Sequence, residues 1–210
     1  MCNRPVRPAR TLTPRTLSGI PLSKPQELVL SARAGTPMHE IEGALAEKGQ
    51  MLIAEPPDTR PLFGTDLYAT LGGVVAANLS GPRRIAWGAM RDHVLGIRAV
   101  NGTGEVFRSG GRVLKNVTGL DLCKLLTGAH GTLGVLTEVT LKVLPAPEAT
   151  GTVAVRVRDL ATGVAALSAG LGSPFGISGA ALVPEGAPRQ AMLDGTIAIL
   201  RLEDFSESVT

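Results

Sequence analysis

Two glycine-spaced stretches hold the residues of this chain best suited to chemistry. The first, TLGGVVAANLSGPRRIAWGAMRD over 70–92, sets Gly72, Gly73, Ala76, Asn78 and Gly81 among small apolar residues, then turns basic at Arg83 and Arg84. The second spaces Gly128, Gly131 and Gly134 at three-residue intervals around Thr132 and ahead of Val135. Without bulky side chains a backbone can come close to a flat or phosphorylated ligand, and amide N–H groups freed in such a loop can cradle an anion. The same composition also lets two elements pack tightly, and taken locally it does not choose between the two roles. Arg83 and Arg84 suit a pyrophosphate or a substrate carboxylate, and equally suit a surface that meets another subunit.

Other chemistries find no foothold. The second glycine series lacks the G-x-G opening of a Rossmann fingerprint, and a strand rather than a helix is predicted after it. There is no Walker A sequence, no H-E-x-x-H and no nucleophile elbow. Cys2 and Cys123 are too far apart in sequence for a metal or cluster spacing, which points to a reducing, cytoplasmic setting. His39, His93 and His130 are isolated and read as surface or loop residues, so no metal is expected. No His–carboxylate constellation marks a general base, and the catalytic residues stay unassigned. A net charge of +3 with one Trp and one Tyr argues against nucleic acid. No apolar run reaches spanning length, and no signal peptide is recognisable.

At 210 residues the chain can bury a sizeable core. The elements that must carry the glycine stretches follow from periodicity. Leu28–Arg33 reads as a strand, followed by a helix with Thr36 as N-cap, Pro37 first, and Met38, Ile41 and Leu45 on one face; Gly49 stops it. Met51–Ile53 is extended. A hairpin is predicted from Val94–Val100, a turn at Asn101–Gly104, and Glu105–Arg108. Lys115–Thr127 reads as a loop entering a helix with Leu122, Leu125 and Leu126 inward. Val135–Val143 alternates, with Val135, Thr137, Val139, Leu141 and Val143 on one face. Pro145 and Pro147 end this unit, giving an expected first domain over 1–147 and a second over 148–210. The second begins with a strand at Thr152–Val157 and a helix capped by Asp159 with a Leu160, Val164, Leu167, Leu171 stripe. Strands at Ile177–Val183 and Thr196–Leu202 follow. That order is the first part of a ferredoxin-like α+β unit.

Several segments in order carry a family resemblance: GTPMHEIEGALAEKGQ, EPP, LGGVVAANLSGPRR, RDHVLGIRAVNGTGEV and GGRVLKNVTGLDLCKLLTGAHGTLGVLTEVTLKVLP. From about Ser18 to Pro147 the chain resembles the FAD-binding domain of the vanillyl-alcohol oxidase/p-cresol methylhydroxylase (VAO/PCMH) flavoprotein superfamily. Within it, the chain is similar to the FAD-binding E subunits of bacterial glycolate oxidases. The resemblance implies an α+β fold: a PCMH-type FAD-binding domain of two α+β subdomains, then a partial ferredoxin-like cap domain. It also implies that the chain is truncated at both ends, without the N-terminal pyrophosphate loop of its relatives.

Carried over by position, the resemblance puts FAD against Gly72, Gly73, Ala76, Asn78 and Gly81 and the preceding turn at Glu55, Pro56 and Pro57. It adds the start of the hairpin at Arg91, Asp92 and Val94, and the loop of Gly128, Gly131, Thr132, Gly134 and Val135. Arg83 and Arg84 become substrate candidates, and Lys115 and Asn116 lie near the flavin or cap a helix. The implied reaction is oxidation of glycolate, a small 2-hydroxy acid, to glyoxylate, with electrons leaving the flavin for an iron–sulfur partner subunit. A homologous FAD-linked sister subunit is a second implied partner, with peripheral membrane association through the complex. Two alternatives stand beside this: a non-catalytic scaffold or truncated subunit, and a D-lactate-type 2-hydroxy acid dehydrogenase of the same fold.

Overall fold

The computed structural model of the chain describes residues 12–111, 120–186 and 195–209. In chain order it holds β1 (Leu22–Lys24), β2 (Val29–Arg33), α1 (Met38–Ala46), β3 (Gln50–Met51), and short helices α2 (Arg60–Phe63), α3 (Leu71–Ala76), α4 (Arg84–Trp87) and α5 (Met90–His93). The hairpin β4 (Val94–Val100) and β5 (Val106–Gly110) precedes α6 (Leu122–Leu126), β6 (Val135–Lys142) and β7 (Leu144–Pro145). Then come β8 (Ala149–Val157), α7 (Leu160–Leu171), β9 (Ile177–Val183), β10 (Thr196–Asp204) and α8 (Ser206–Val209). No helix among the described residues is long and apolar enough to cross a membrane.

An antiparallel sheet in the order β1-β2-β6-β4-β5 is the frame. One face packs on α1, α3 and α6 through Leu30, Ala32, Ile41, Leu45, Leu71, Val74, Val75, Leu126, Val139 and Leu141, all buried. The other face is polar, with a Ser31–Thr140 hydroxyl pair at 2.7 Å and Arg33, Arg98 and Glu138 in neighbouring register. This one-sided alternation is what an antiparallel sheet with one solvated face requires. The second sheet runs β8-β10-β9, with α7 on β9 and β10. Its chain order of strand, helix, strand, strand is the one read from the sequence.

Four local expectations change. The residue at the N-cap of α1 is Pro37; the buried Thr36 hydroxyl is committed elsewhere, accepting from the Gly19 N–H at 3.0 Å and donating to the Gly19 carbonyl at 3.1 Å. In β6 the alternation breaks at Thr137. Arg98 pairs with Glu138 and Ala99 with Leu136, so Thr137 is an extra residue, and its hydroxyl donates to the Arg98 carbonyl at 3.0 Å. Such a bulge inverts the phase of the strand: Leu136, Val139 and Leu141 are buried while Val135 and Thr137 are not. In α6 Leu126 is inward and Leu122 packs half-buried on the core, as expected, but Leu125 is exposed and Cys123 is buried in its place. In α7 the expected stripe faces outward at Leu160, Val164 and Leu171. Gly163 and Gly170 form the packing face instead, where a Cβ would collide with Leu182 and Leu200. Lys115 and Asn116, and residues 1–11, lie outside the described residues.

The bulge makes a prediction that a regular strand would not. Leu136→Ala is expected to destabilise the chain by about 3 kcal/mol through a core cavity, and Thr137→Ala by less than about 1 kcal/mol. Urea unfolding of the two variants checks it, and the opposite order would place Thr137 in the core.

Candidate functional site

The two glycine stretches meet. Helix α3 starts where the Thr70 hydroxyl accepts from the Gly73 N–H at 3.4 Å, an ordinary N-cap. Leu71, Val74 and Val75 anchor it in the core. Gly72 lets it sit directly on β2's continuation: its N–H donates to the Ala34 carbonyl at 2.7 Å, and a Cβ there would come within 2.8 Å of the Ala34 Cβ. A helix leaves its last carbonyls without internal partners. At α3 the second glycine segment joins in: the His130 N–H donates to the Ala76 carbonyl at 2.8 Å, and the Gly128 N–H, at 3.1 Å, shares the Val75 carbonyl with the Asn78 N–H. That loop turns through positive φ at Gly128, His130 and Gly131, of 86°, 52° and 72°.

Between the joined segments lies a cavity of about 310 Å³, whose walls include Thr70, Gly72, Gly73, Ala76, Gly131, Gly134 and Val135. A Cβ on Gly131 would meet nothing within 4 Å, and one on Gly73 only the Thr70 hydroxyl at 3.5 Å. At the glycines the wall is bare backbone with open space in front, and Leu12, Pro14, Leu126, His130 and Leu136 complete the lining. The Gly131 N–H has no hydrogen-bond partner among the described residues. These features fit a planar or phosphorylated portion of a dinucleotide.

The remaining expected residues are placed differently. Asn78, at φ 51°, accepts from the Arg91 N–H at 2.9 Å and lies against Gly128. Gly81 donates its N–H to the Ala54 carbonyl at 2.8 Å, packed so closely on Glu55 that a Cβ would overlap the Glu55 carbonyl. Pro56 and Pro57 line a separate cavity of about 210 Å³ beside Asp58, Arg60 and Tyr68, where the Arg60 guanidinium stacks on the Tyr68 ring at 3.8 Å. Asp92 caps α5 by accepting from the Ala89 N–H at 2.8 Å, Val94 is buried behind it, and the Thr132 hydroxyl turns back to the Ala129 carbonyl at 2.7 Å. His93, expected at the surface, is buried with its Nε2 unpartnered, and burial pushes its pKa below the ordinary value. Among the described residues no His, Cys, Asp and Glu group could hold a metal ion.

Arg83 and Glu55 belong to an ionic network that reaches the second sheet. Arg83 grips Glu203 with both Nη2 and Nε, at 2.7 and 2.9 Å, and Arg201 grips Glu55 with Nη1 and Nη2, at 2.5 and 2.7 Å. Arg201 Nε also donates to the Ser178 hydroxyl at 2.9 Å, and the Arg83 N–H to Glu55 Oε2 at 3.2 Å. The Glu203 side chain is only 6% exposed. Burial by itself would raise the pKa of both carboxylates, but the guanidinium hydrogen bonds outweigh it and hold both below the usual range. Arg84, one residue on, is exposed on α4 with no ion pair among the described residues. Ser178, Arg201 and Glu203 were missed from sequence. Their one local trace is the spacing of Arg201 and Glu203, two residues apart on one face of an otherwise apolar strand.

With this geometry in place, the comparisons with known proteins are specific. Residues 11–110 match the FAD binding domain model. That segment is just under half of the chain; its fold is α+β, as expected of an FAD-binding domain, and FAD is the cofactor that the matching model names. The chain is 51% identical over 146 residues to the glycolate oxidase subunit GlcE of Escherichia coli (strain K12), across 70% of this chain and 40% of that protein. It is 33% identical over 123 residues to the glycolate oxidase subunit GlcD of Bacillus subtilis (strain 168), and 36% over 123 residues to a D-lactate dehydrogenase of Anaerostipes hadrus. In these two the match spans 59% of this chain and 25% and 24% of theirs. The chain thus spans well under half the length of these relatives. Solved structures of alkyldihydroxyacetonephosphate synthase share the fold, with a TM-score of 0.71 at 21% identity over 93% of this chain and 38% of theirs.

Because the folded pKa values of Glu55 and Glu203 are lowered, the network's contribution is complete above the unfolded value of about 4.3. It is lost as the pH falls through the lower folded values. Thermal melts between pH 6 and pH 3 should therefore show a larger drop for the wild type than for Arg201→Gln, which has lost the Arg201–Glu55 pair. Parallel curves would mean that the network adds nothing to stability.

Proposed function

We propose that this chain is the FAD-holding part of a glycolate oxidase flavoprotein subunit, which oxidises glycolate to glyoxylate and delivers electrons to an iron–sulfur partner subunit. The observation that carries the reading is the single cavity into which both glycine segments open. Likeness to two glycolate oxidase subunits supports the substrate class. FAD, when bound, supplies the hydride acceptor that no side chain can provide. The chain's own part is shape and polarity. Gly73 and Gly131 leave room for the ligand, the Gly131 N–H is a donor left for its negative charge, and Gly72, Ala76, Gly134 and Val135 are among the walls. We assign Asn78, Gly81 and Arg91 to holding the α3 end of the cavity. Glu55, Pro56 and Pro57 shape the turn before α3, and Asp92 and Val94 seat the start of β4.

With two cysteines distant in sequence, the chain offers no cluster ligands, so the electron exit belongs to a partner. A sister FAD-linked subunit completes the assembly in this reading, and the Arg84 side of α4 is a surface open to it.

The first test is the visible spectrum of the desalted chain with and without added FAD. A retained flavin spectrum is expected. Gly131→Asn keeps the positive φ available but fills the cavity, and should weaken FAD binding at least about tenfold, a loss of about 1.4 kcal/mol, with an unchanged melting temperature. A chain that stays colourless, or an Asn variant that binds as the wild type does, would remove FAD from this cavity. The purified complex assayed with glycolate and D-lactate then decides the substrate: faster turnover of D-lactate would replace glycolate in the proposal.

A further inference from the structure

We infer that Arg201 and Glu203 are positioning residues for the cavity between the glycine segments, coupling the placement of the second sheet to the affinity of that cavity for its ligand. The inference deepens the flavin reading above and rests on it for the ligand's identity. The physical path is continuous. Arg201 holds Glu55 and Glu203 holds Arg83, in two bidentate pairs linked by the Arg83 N–H to Glu55 hydrogen bond. Glu55 stands at φ 45°, a conformation that persists only where the surroundings enforce it. Its neighbour Ala54 accepts from Gly81, so the network fixes both ends of the Gly81–Arg83 turn.

That turn is the direct continuation of α3. Asn78 and Leu79 still donate to the Val75 and Val74 carbonyls, and Ser80 accepts from the Met90 N–H at 2.8 Å. Asn78 also abuts Gly128, whose own N–H binds the end of α3. Displacing the turn therefore disturbs both walls of the cavity at once. Pro82 packs within 3.3 Å of the Cβ position of Gly179, and α4 lies along β9, so the second sheet rests directly on this turn as well as on the network. Bidentate guanidinium–carboxylate pairs add angular definition that a point charge lacks. A single lysine could not reproduce it.

The test uses the full chain, with FAD as the probe. Arg201→Gln is expected to weaken FAD binding about tenfold, within the usual span of a coupling between sites, while Arg201→Lys fails to restore it. Exchanging the charges of the second pair, Arg83→Glu together with Glu203→Arg, should recover most of the affinity that Arg83→Glu alone removes. Amide hydrogen exchange supplies a readout that needs no ligand: in Arg201→Gln the amides of 74–79 and 128–130 should exchange faster, with those of β2 and β6 unchanged. Wild-type FAD affinity and wild-type exchange in Arg201→Gln, with a lowered melting temperature, would leave the network a mere clamp and overturn the inference. If the wild type binds no FAD and the exchange pattern still changes, the coupling stands and only the flavin reading falls.

Discussion

The end of α3 is the contact on which the rest depends. Its Ala76 carbonyl is met by the His130 amide, and its Val75 carbonyl, which already accepts from Asn78, also takes the Gly128 amide, both from a segment some fifty residues later. A buried carbonyl left without a donor costs about as much as a lost hydrogen bond, so the two glycine segments cannot drift apart without penalty. Their union defines a cavity, and it explains why a loop with three consecutive-region positive φ values is tolerated there. The five-stranded sheet serves this contact: β2 carries the Ala34 backbone on which Gly72 rests, and β6 follows directly from Gly134.

The ionic network answers a second constraint. The three-stranded sheet packs on its own helix through glycines, which bury little apolar area, and it needs another tie to the larger sheet. Two guanidinium–carboxylate pairs provide one. Glu203 is almost fully enclosed, and enclosed charge is tolerated only when paired and hydrogen-bonded. Glu55 and Arg83, two of the expected ligand residues, are engaged by Arg201 and Glu203 respectively. Arg84, on the surface of α4, has no ion pair among the described residues.

Much of the architecture was readable residue by residue. The apolar positions of α1, the Asp159 cap of α7, the hairpin around Asn101–Gly104 and the strand–helix–strand–strand order all follow from local rules, and all are present. Readings failed where a local signal competed with a distant one. Thr36 is a good cap by type, but its hydroxyl is taken by Gly19. The stripe on α7 is a good amphipathic pattern, yet the helix approaches its sheet through Gly163 and Gly170 because only they allow contact. In β6 a single inserted residue, Thr137, reverses which side chains reach the core.

For the site the division is similar. The sequence by itself determined that two glycine segments would sit where backbone must come close to something, since their composition permits little else. Only the tertiary structure decided that Gly72, Gly73, Ala76, Gly131, Gly134 and Val135 share one cavity while Pro56, Pro57, Arg91 and Asp92 do not. It alone joined Glu55 to Arg201 and Arg83 to Glu203, pairs separated by 146 and 120 residues. The physical reason is range: periodicity and turn chemistry act over a few residues, whereas charge pairing and backbone satisfaction depend on which surfaces the packed core brings together.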